Sequence, residues 1–310
     1  MSETKGENTR ASKAGLGPGS LVHVGERVDA EVSVRVMDYD QHQLNESTLQ
    51  DFAQCTAYAD SASVSWIDAD GIHDAHVVEE IGKRFNVHIL VLEDVMNSES
   101  RPKVEFFDDY MFITLKMLEI EPKSSQLNVE QLSLIISERF VLMFQERPGD
   151  SFDGIRERIR TAKGKVRGKD GYYLAYLILD TVVDNYIAVS EKLAVQIETL
   201  ESTVIKRPTE FTLHRILALR KELLDFKRSI DPLKEAINTV TRELEDEIAK
   251  YYKDLYDHII YESENLTMYR EMLSNMLDLY HSNLQMKMNQ IMKVMTIMTT
   301  IFVPLTFLVG

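Results

Sequence analysis

The 310-residue chain contains almost no cysteine: Cys55 is the only one. A single thiol can form neither an internal disulfide nor a cysteine-based zinc site. The first 20 residues also lack an apolar run, so the sequence predicts no secretory signal peptide. We therefore expect residues 1–20 to be a disordered tail and most of the chain to stay in the reducing cytoplasm.

Basic residues are scarce relative to acidic ones. The chain has 35 Lys and Arg against 50 Asp and Glu, which gives a formal net charge of -15. Such a surface repels phosphate backbones, so nucleic acid is disfavoured as a partner, whereas cations are favoured. The sequence also lacks a P-loop, a dinucleotide fingerprint, a nucleophile elbow and a HExxH metal motif. We therefore predict that the chain is not an enzyme.

Residues 21–170 carry both strand and helix signals. Six strand-sized segments are rich in β-branched or aromatic residues: LVHV, EVSVRVM, SVSWIDA, YMFITLKMLEI, LSLIIS and FVLMFQE. Two segments between them have helical spacing, DAHVVEEIGKRFN and HILVLEDVMN. The pattern predicts an α/β domain within a chain of the α+β class.

The period of the apolar residues changes after residue 170. One seam steps by three and four through Ile216, Leu219, Leu223, Phe226, Ile230, Leu233, Ile237, Val240 and Leu244. Because Pro208 precedes this seam and a looser stripe lies before it, residues 171–245 are predicted to form an antiparallel helical hairpin. Pro232 should either kink the second helix or restart it. No Gly or Pro interrupts residues 246–290, which predicts a long stalk helix.

The chain ends in a long uncharged run. The 17 residues from Val294 to Gly310 carry no charge, and a bilayer core of roughly 30 Å needs about 20 residues of helix. We therefore predict a transmembrane helix over residues 291–310, cut short within its membrane region.

A polar stripe runs along this last helix. Heptad steps from Asn289 reach Met292, Thr296, Thr299, Val303, Thr306 and Gly310, and backward steps reach acids at Asp257, Glu264, Glu271 and Asp278. An ordinary helix–helix interface or a solvated helix face would both fit parts of this pattern. In a symmetric oligomer, the same acids would form carboxylate rings that concentrate cations above a narrow path.

Several segments resemble one family. The last helix, MNQIMKVMTIMTTIFVPLTFLVG, is similar to the first transmembrane helix of CorA-type magnesium and cobalt transport proteins. Four earlier segments also resemble this family and occur in the family's order: HILVLEDVMNSESRPKVEFFDDYMFITLKM, EQLSLIIS, FVLMFQERPGDSFDGIRERIR and YYKDLYDH. The resemblance implies a homopentameric Mg²⁺ and Co²⁺ channel in the inner membrane, with a cytoplasmic N-terminal domain. The family continues with a Gly-Met-Asn signature and a second membrane helix, so we expect that this chain is truncated.

The resemblance also implies site residues. The pore would be lined by Asn289, Met292, Met295, Val303, Thr306 and Gly310, while the heptad pattern adds Thr299 and Asp278 and prefers Thr296 to Met295. Regulatory Mg²⁺ would bind Asp94 and Asp254 between subunits, with Asp180, Asp257 and His258 as weaker candidates. Two alternatives stay open: a Zn²⁺ transporter of the same family, and a tail-anchored coiled-coil scaffold.

Overall fold

The computed structural model describes residues 15–25, 32–59, 61–121, 127–149, 151–206 and 208–310. The first fourteen residues of the predicted tail lie outside these ranges. The chain forms two compact units. The first consists of Met1–Val189 and Phe226–Ser263, and the second consists of Ser190–Asp225 and Glu264–Gly310.

The first unit is built on a seven-stranded mixed sheet. Its strands are β1 (Ser33–Tyr39), β2 (Leu44–Leu49), β3 (Val64–Asp70), β4 (Lys103–Phe106), β5 (Met111–Ile120), β6 (Leu127–Ile136) and β7 (Phe140–Gln145). The order across the sheet is β2-β1-β3-β7-β6-β5-β4. Only the central pair β3 and β7 is parallel among these strands; every other pair is antiparallel.

Short helices cover both faces of this sheet. They are α1 (Thr56–Ala59), α2 (Ala75–Arg84), α3 (Ile89–Val95) and α4 (Asp153–Arg160). Helices α2 and α3 join the hydrophobic core that contains Ile67 of β3. The neighbouring Trp66 points to the opposite face, because successive strand side chains alternate. There it lies beneath Arg156 of α4, whose guanidinium carbon is 5.1 Å from the ring centroid.

The observed strands differ from the predicted ones in two respects. The LVHV segment was expected to be a strand, but only Val24 pairs, in an isolated bridge with Asn97. Strands β2 and β4 were not predicted. β2 is an edge strand with the sequence LNESTL, in which only Leu49 is fully buried, so it lacks the apolar alternation that marks a half-buried strand.

Three long helices complete the chain: α5 (Gly171–Lys206), α6 (Glu210–Glu243) and α7 (Asp246–Val309). Helix α6 continues through Pro232 without restarting, and α7 is a single helix of 64 residues that contains Pro304. The α6 seam is buried from Ile216 to Val240, as expected for helix-on-helix packing. The mixed sheet with long helices confirms the α+β class.

A close approach fixes where α5 begins. A Cβ atom on Gly171 would lie 2.1 Å from the main-chain oxygen of Ser137, in the turn between β6 and β7. The amide of Gly171 also donates a hydrogen bond to the carbonyl of Glu138, at 2.7 Å. Only glycine lets the helix start this close to the turn.

The second unit contains parts of the three long helices. At the start of α6, Thr209 and Thr212 cap each other, because each main-chain amide donates to the other residue's hydroxyl at 3.3 Å. Arg215 of α6 donates to the side-chain oxygen of Gln196 on α5. Asn283 of α7 donates to the carbonyl of Val204 at 3.3 Å. These bonds connect α7 and α6 separately to α5.

Candidate ion pathway and metal sites

Helix α7 has one buried face that follows a heptad pattern. The buried positions are Tyr252, Leu255, Ile259, Glu262, Ser263, Leu266, Leu273, Met276 and Tyr280. Steps of three and four residues return to the same side of a helix, so this seam is where α7 packs on its own chain. Every described side chain from Leu284 to Phe307 is exposed, so the seam has ended by that point.

The acidic stripe lies on the opposite side of α7. Asp257, Glu264, Glu271 and Asp278 each come two residues after a buried or half-buried seam position, and all four are exposed. Two residues correspond to about 200° around an α-helix. The four carboxylates therefore face away from the seam, toward whatever surrounds the single chain.

The expected pore residues continue this exposed stripe. Met292 is 54% exposed, Met295 is 64% exposed and Val303 is 59% exposed. Thr296 is exposed as well, so the choice between Thr296 and Met295 stays a prediction. Asn289 and Gly310 are likewise exposed at the two ends of the run.

The threonine hydroxyls of this segment bond to their own helix. Thr299 donates to the carbonyl of Met295 at 2.9 Å, and Thr306 donates to the carbonyl of Phe302 at 2.8 Å. A hydroxyl that donates to the preceding turn is satisfied without a partner, which lets it lie in apolar surroundings. Its oxygen keeps acceptor capacity and can receive a hydrogen bond from water.

One helix of the described residues is long and apolar enough to cross a membrane. It is the α7 portion Glu247–Phe307, which contains an 18-residue apolar window with no buried residue. Length and composition therefore mark α7 as a candidate membrane span.

Asp94 lies near the end of α3 and is already paired. Its Oδ2 atom is 2.6 Å from the Nζ atom of Lys103 at the start of β4. The same Nζ atom is 2.6 Å from Oε1 of Glu105. The sequence resemblance pointed to Asp94 but not to Lys103 or Glu105. Both residues lie on β4, and the pairing of β4 with β5 brings them beside α3.

Asp180, Asp254 and His258 share one electrostatic neighbourhood on α5 and α7. Burial raises the pKa of Asp180, the charges of Asp184 and Asp254 raise it further, and His258 opposes them. Asp254 and Asp257 are exposed. Within the residues that the structure describes, no group of three or more His, Cys, Asp or Glu side chains could hold a metal ion.

A buried polar cluster near α3 was also missed by sequence reasoning. Gln131 on β6 donates from its side chain to the carbonyls of Asp94 and Val95, at 3.1 and 3.3 Å. Its side-chain oxygen accepts a hydrogen bond from Lys116 at 3.1 Å. Burial lowers the pKa of Lys116 to about 8, against the opposing charge of Glu146. This cluster anchors the end of the helix that carries Asp94.

Comparisons with known proteins agree with this architecture. Residues 61–310 match the family model described as CorA-like Mg²⁺ transporter protein. The cobalt/magnesium transport protein CorA of Thermotoga maritima is 40% identical over 309 residues, which cover 98% of this chain and 88% of that protein.

Two solved structures share the fold. The CorA magnesium transporter of Methanocaldococcus jannaschii aligns with a TM-score of 0.73 and 23% identity, covering 90% of this chain and 86% of that one. The full-length CmaX protein aligns with a TM-score of 0.77 and 17% identity, covering 92% and 88%. The family match over residues 61–310 and the 40% identity over nearly the whole chain show that the chain belongs to the family of CorA-like Mg²⁺ transporter proteins.

Proposed function

We propose that this chain is one subunit of a homopentameric channel for divalent cations, Mg²⁺ and also Co²⁺, in the inner membrane. Residues 21–170 form its cytoplasmic domain, residues 171–245 its helical hairpin, residues 246–290 its stalk, and residues 291–310 its pore-lining membrane helix. The observation that carries the proposal is α7, a continuous 64-residue helix with an acidic stripe opposite its packed seam. The 40% identity to a cobalt/magnesium transport protein supports the choice of cargo.

The ion path follows the exposed stripe of α7. Rings of Asp278 and of the earlier stripe acids Asp257, Glu264 and Glu271 attract cations, because several like charges around one axis create a strongly negative local potential. Asn289 and Thr306 offer amide and hydroxyl oxygens to the waters of a hydrated ion, which suits Mg²⁺ because it dehydrates reluctantly. Met292 and Met295 narrow the path with apolar rings that close by dewetting.

Bound Mg²⁺ between subunits closes the channel. Asp94 of one copy and Asp254 of the next repel each other when both are ionised, and a divalent cation between them reverses this repulsion. Asp180, Asp257 and His258 contribute to the surrounding field. High cytosolic Mg²⁺ therefore stabilises the closed assembly, and its loss releases the subunits.

The assembly is tested by native mass spectrometry of the protein in detergent, with Mg²⁺ and after chelation. We expect a fivefold assembly that loses order when Mg²⁺ is removed. A dimer that is indifferent to Mg²⁺ would contradict the proposal and favour the tail-anchored scaffold.

The cargo is tested by flux into vesicles loaded with a divalent-sensitive dye. We expect uptake of Mg²⁺ and Co²⁺ that stops when Mg²⁺ is high on the cytoplasmic side. Uptake of Zn²⁺ without Mg²⁺ would instead favour the Zn²⁺ transporter.

The regulatory residues are tested by the double variant Asp94→Asn with Asp254→Asn. We expect it to lose the protection from protease that Mg²⁺ gives to the cytoplasmic domain. Asp108→Asn is the matched control, because Asp108 is an exposed aspartate of the same unit. Unchanged Mg²⁺-dependent protection in the double variant would refute the sensor assignment.

A further inference from the structure

Lys103 places a positive charge on the carboxylate that is proposed to sense Mg²⁺. Its Nζ atom lies between two acids, 2.6 Å from Oδ2 of Asp94 and 2.6 Å from Oε1 of Glu105. The ammonium also lies 5.8 Å from the centroid of the Phe112 ring, close enough for a cation–π contact. Three groups therefore hold the ammonium at Asp94.

The position of Lys103 is set by the sheet. Residue 103 opens β4 and pairs with Thr114 of β5, and Phe112 lies two residues before Thr114 on the same strand. Asp94 lies on α3, which packs on the sheet through Val91 and Leu92. Because both sides of the ion pair are anchored in the same unit, each copy of the chain brings its own lysine to its own Asp94.

The ion pair stays accessible to water. The side chains of Lys103, Asp94 and Glu105 are 35%, 28% and 41% exposed. A lysine ammonium is charged at neutral pH, and its long flexible stem lets it swing away from Asp94.

We propose that Lys103 is a tethered competitor of the regulatory divalent cation: its ammonium occupies Asp94 when Mg²⁺ is low and must leave before Mg²⁺ binds there. This inference rests on the proposed sensor role of Asp94. An ammonium and a divalent cation repel each other, so an ammonium held on Oδ2 of Asp94 opposes the binding of a divalent cation to the same carboxylate. The apparent affinity for Mg²⁺ is then the intrinsic affinity multiplied by the fraction of copies in which the ammonium has left Asp94.

Glu105 gives the displaced ammonium a place to stay. When Mg²⁺ takes Asp94, Lys103 keeps one of its two carboxylate partners and is not left unpaired. The exchange therefore costs one ion pair and not two. Lys103 thus sets the Mg²⁺ concentration at which the sensor responds.

The test measures the Mg²⁺ midpoint of protease protection for the full chain in detergent. Lys103→Gln should lower the midpoint about fivefold, the factor that corresponds to an ion pair at the strong end of the surface range. Lys83→Gln is the matched control, because Lys83 has the same charge and an exposed Glu79 partner at 2.7 Å on α2. The control should leave the midpoint within about twofold of the parent chain.

A second variant predicts the opposite sign. Glu105→Gln leaves Asp94 as the sole carboxylate partner of Lys103, so the ammonium stays there more of the time and the midpoint rises. This result does not depend on Lys103→Gln folding well. An unchanged midpoint in Glu105→Gln would contradict the competition, and so would an equal fall in Lys103→Gln and Lys83→Gln.

The competition by Lys103 and the sensor role of Asp94 are tested separately. If Asp94→Asn abolishes the Mg²⁺ response while Lys103→Gln leaves the midpoint unchanged, Asp94 is the sensor but Lys103 does not compete. If Asp94→Asn keeps the full response, the sensor assignment itself is wrong and the inference is overturned with it. A Mg²⁺-loaded structure with Lys103 still bonded to Asp94 would also overturn it.

Discussion

Glu130 is a carboxylate that weakens the fold at neutral pH, and replacing it should stabilise the protein. Glu130 is half-buried on β6, where its Oε1 atom accepts a hydrogen bond from the amide of Arg147 at 2.8 Å. Burial and the nearby charge of Glu146 raise the pKa of Glu130 to about 7. Burial also raises the pKa of Glu146.

The sign and size of the effect follow from linkage. The folded chain holds the proton on Glu130 more tightly than the unfolded chain does, so its contribution to stability is fully present below pH 4.5 and is lost as pH rises through 7. A pKa that moves from 4.5 to about 7 corresponds to about 3 kcal/mol. Because Glu130 is only half-buried, we expect a smaller effect of about 1–2 kcal/mol.

Glu130→Gln resembles the protonated acid and can still accept the hydrogen bond from Arg147. We expect it to raise the free energy of unfolding by about 1–2 kcal/mol at pH 8 and to change it little at pH 4.5. Urea unfolding can be followed by the fluorescence of Trp66, which is the only tryptophan and is buried in the sheet.

The matched control is Glu119→Gln, which removes an exposed carboxylate on the neighbouring strand β5 and should leave the pH dependence unchanged. Two results would refute the reasoning. One is a loss of stability in Glu130→Gln at pH 8. The other is a difference from the parent chain that is the same at pH 4.5 and pH 8.

Three further substitutions test the sheet, the start of α5 and the stripe. Asp68→Asn removes the buried carboxylate that pairs with two arginines and should cost about 3–5 kcal/mol, whereas Asp153→Asn removes an exposed partner and should cost less than about 1 kcal/mol, both by urea unfolding. Gly171→Ala forces a Cβ within 2.1 Å of a main-chain oxygen and should lower stability by about 2–3 kcal/mol in the same assay. Asp278→Asn should slow divalent uptake about two- to fivefold at low ionic strength and little at high salt. The control Glu201→Gln on α5 should leave uptake unchanged at both salt levels. Equal slowing by Asp278→Asn at low and high salt would contradict a charge effect.

The strongest sequence signals predicted the sheet best. β5, β6 and β7 are rich in β-branched and aromatic residues, and each contains a predicted strand segment. β2 and β4 were missed because they are short edge strands with at most one fully buried side chain each, so they lack the long apolar run that marks β5, β6 and β7. LVHV is short and rich in β-branched residues, but only its Val24 pairs, in one isolated bridge with Asn97 after α3.

The long helices were predictable because their period persists over many turns. The α6 seam follows from steps of three and four in the sequence, and the uninterrupted α7 follows from the absence of Gly and Pro over residues 246–290. The surroundings of Asp94 were not predictable in this way. Lys103 reaches Asp94 only through the pairing of β4 with β5 and the docking of α3 on the sheet, and neither is written in the local sequence.

The end of α7 exposes an apolar surface that the single chain does not cover. The seam that packs α7 on its own chain ends near Tyr280, and the described side chains from Leu284 to Phe307 are all exposed. Apolar surface of this length needs cover from lipid or from copies of the same helix. Lipid suits the faces that carry Ile297, Ile301 and Phe302, but an amide such as Asn289 is costly in hydrocarbon. In the proposed assembly, the polar stripe is therefore the face that copies of α7 turn toward each other, and the acids that continue it at heptad spacing place negative charge at the entrance of the proposed ion path.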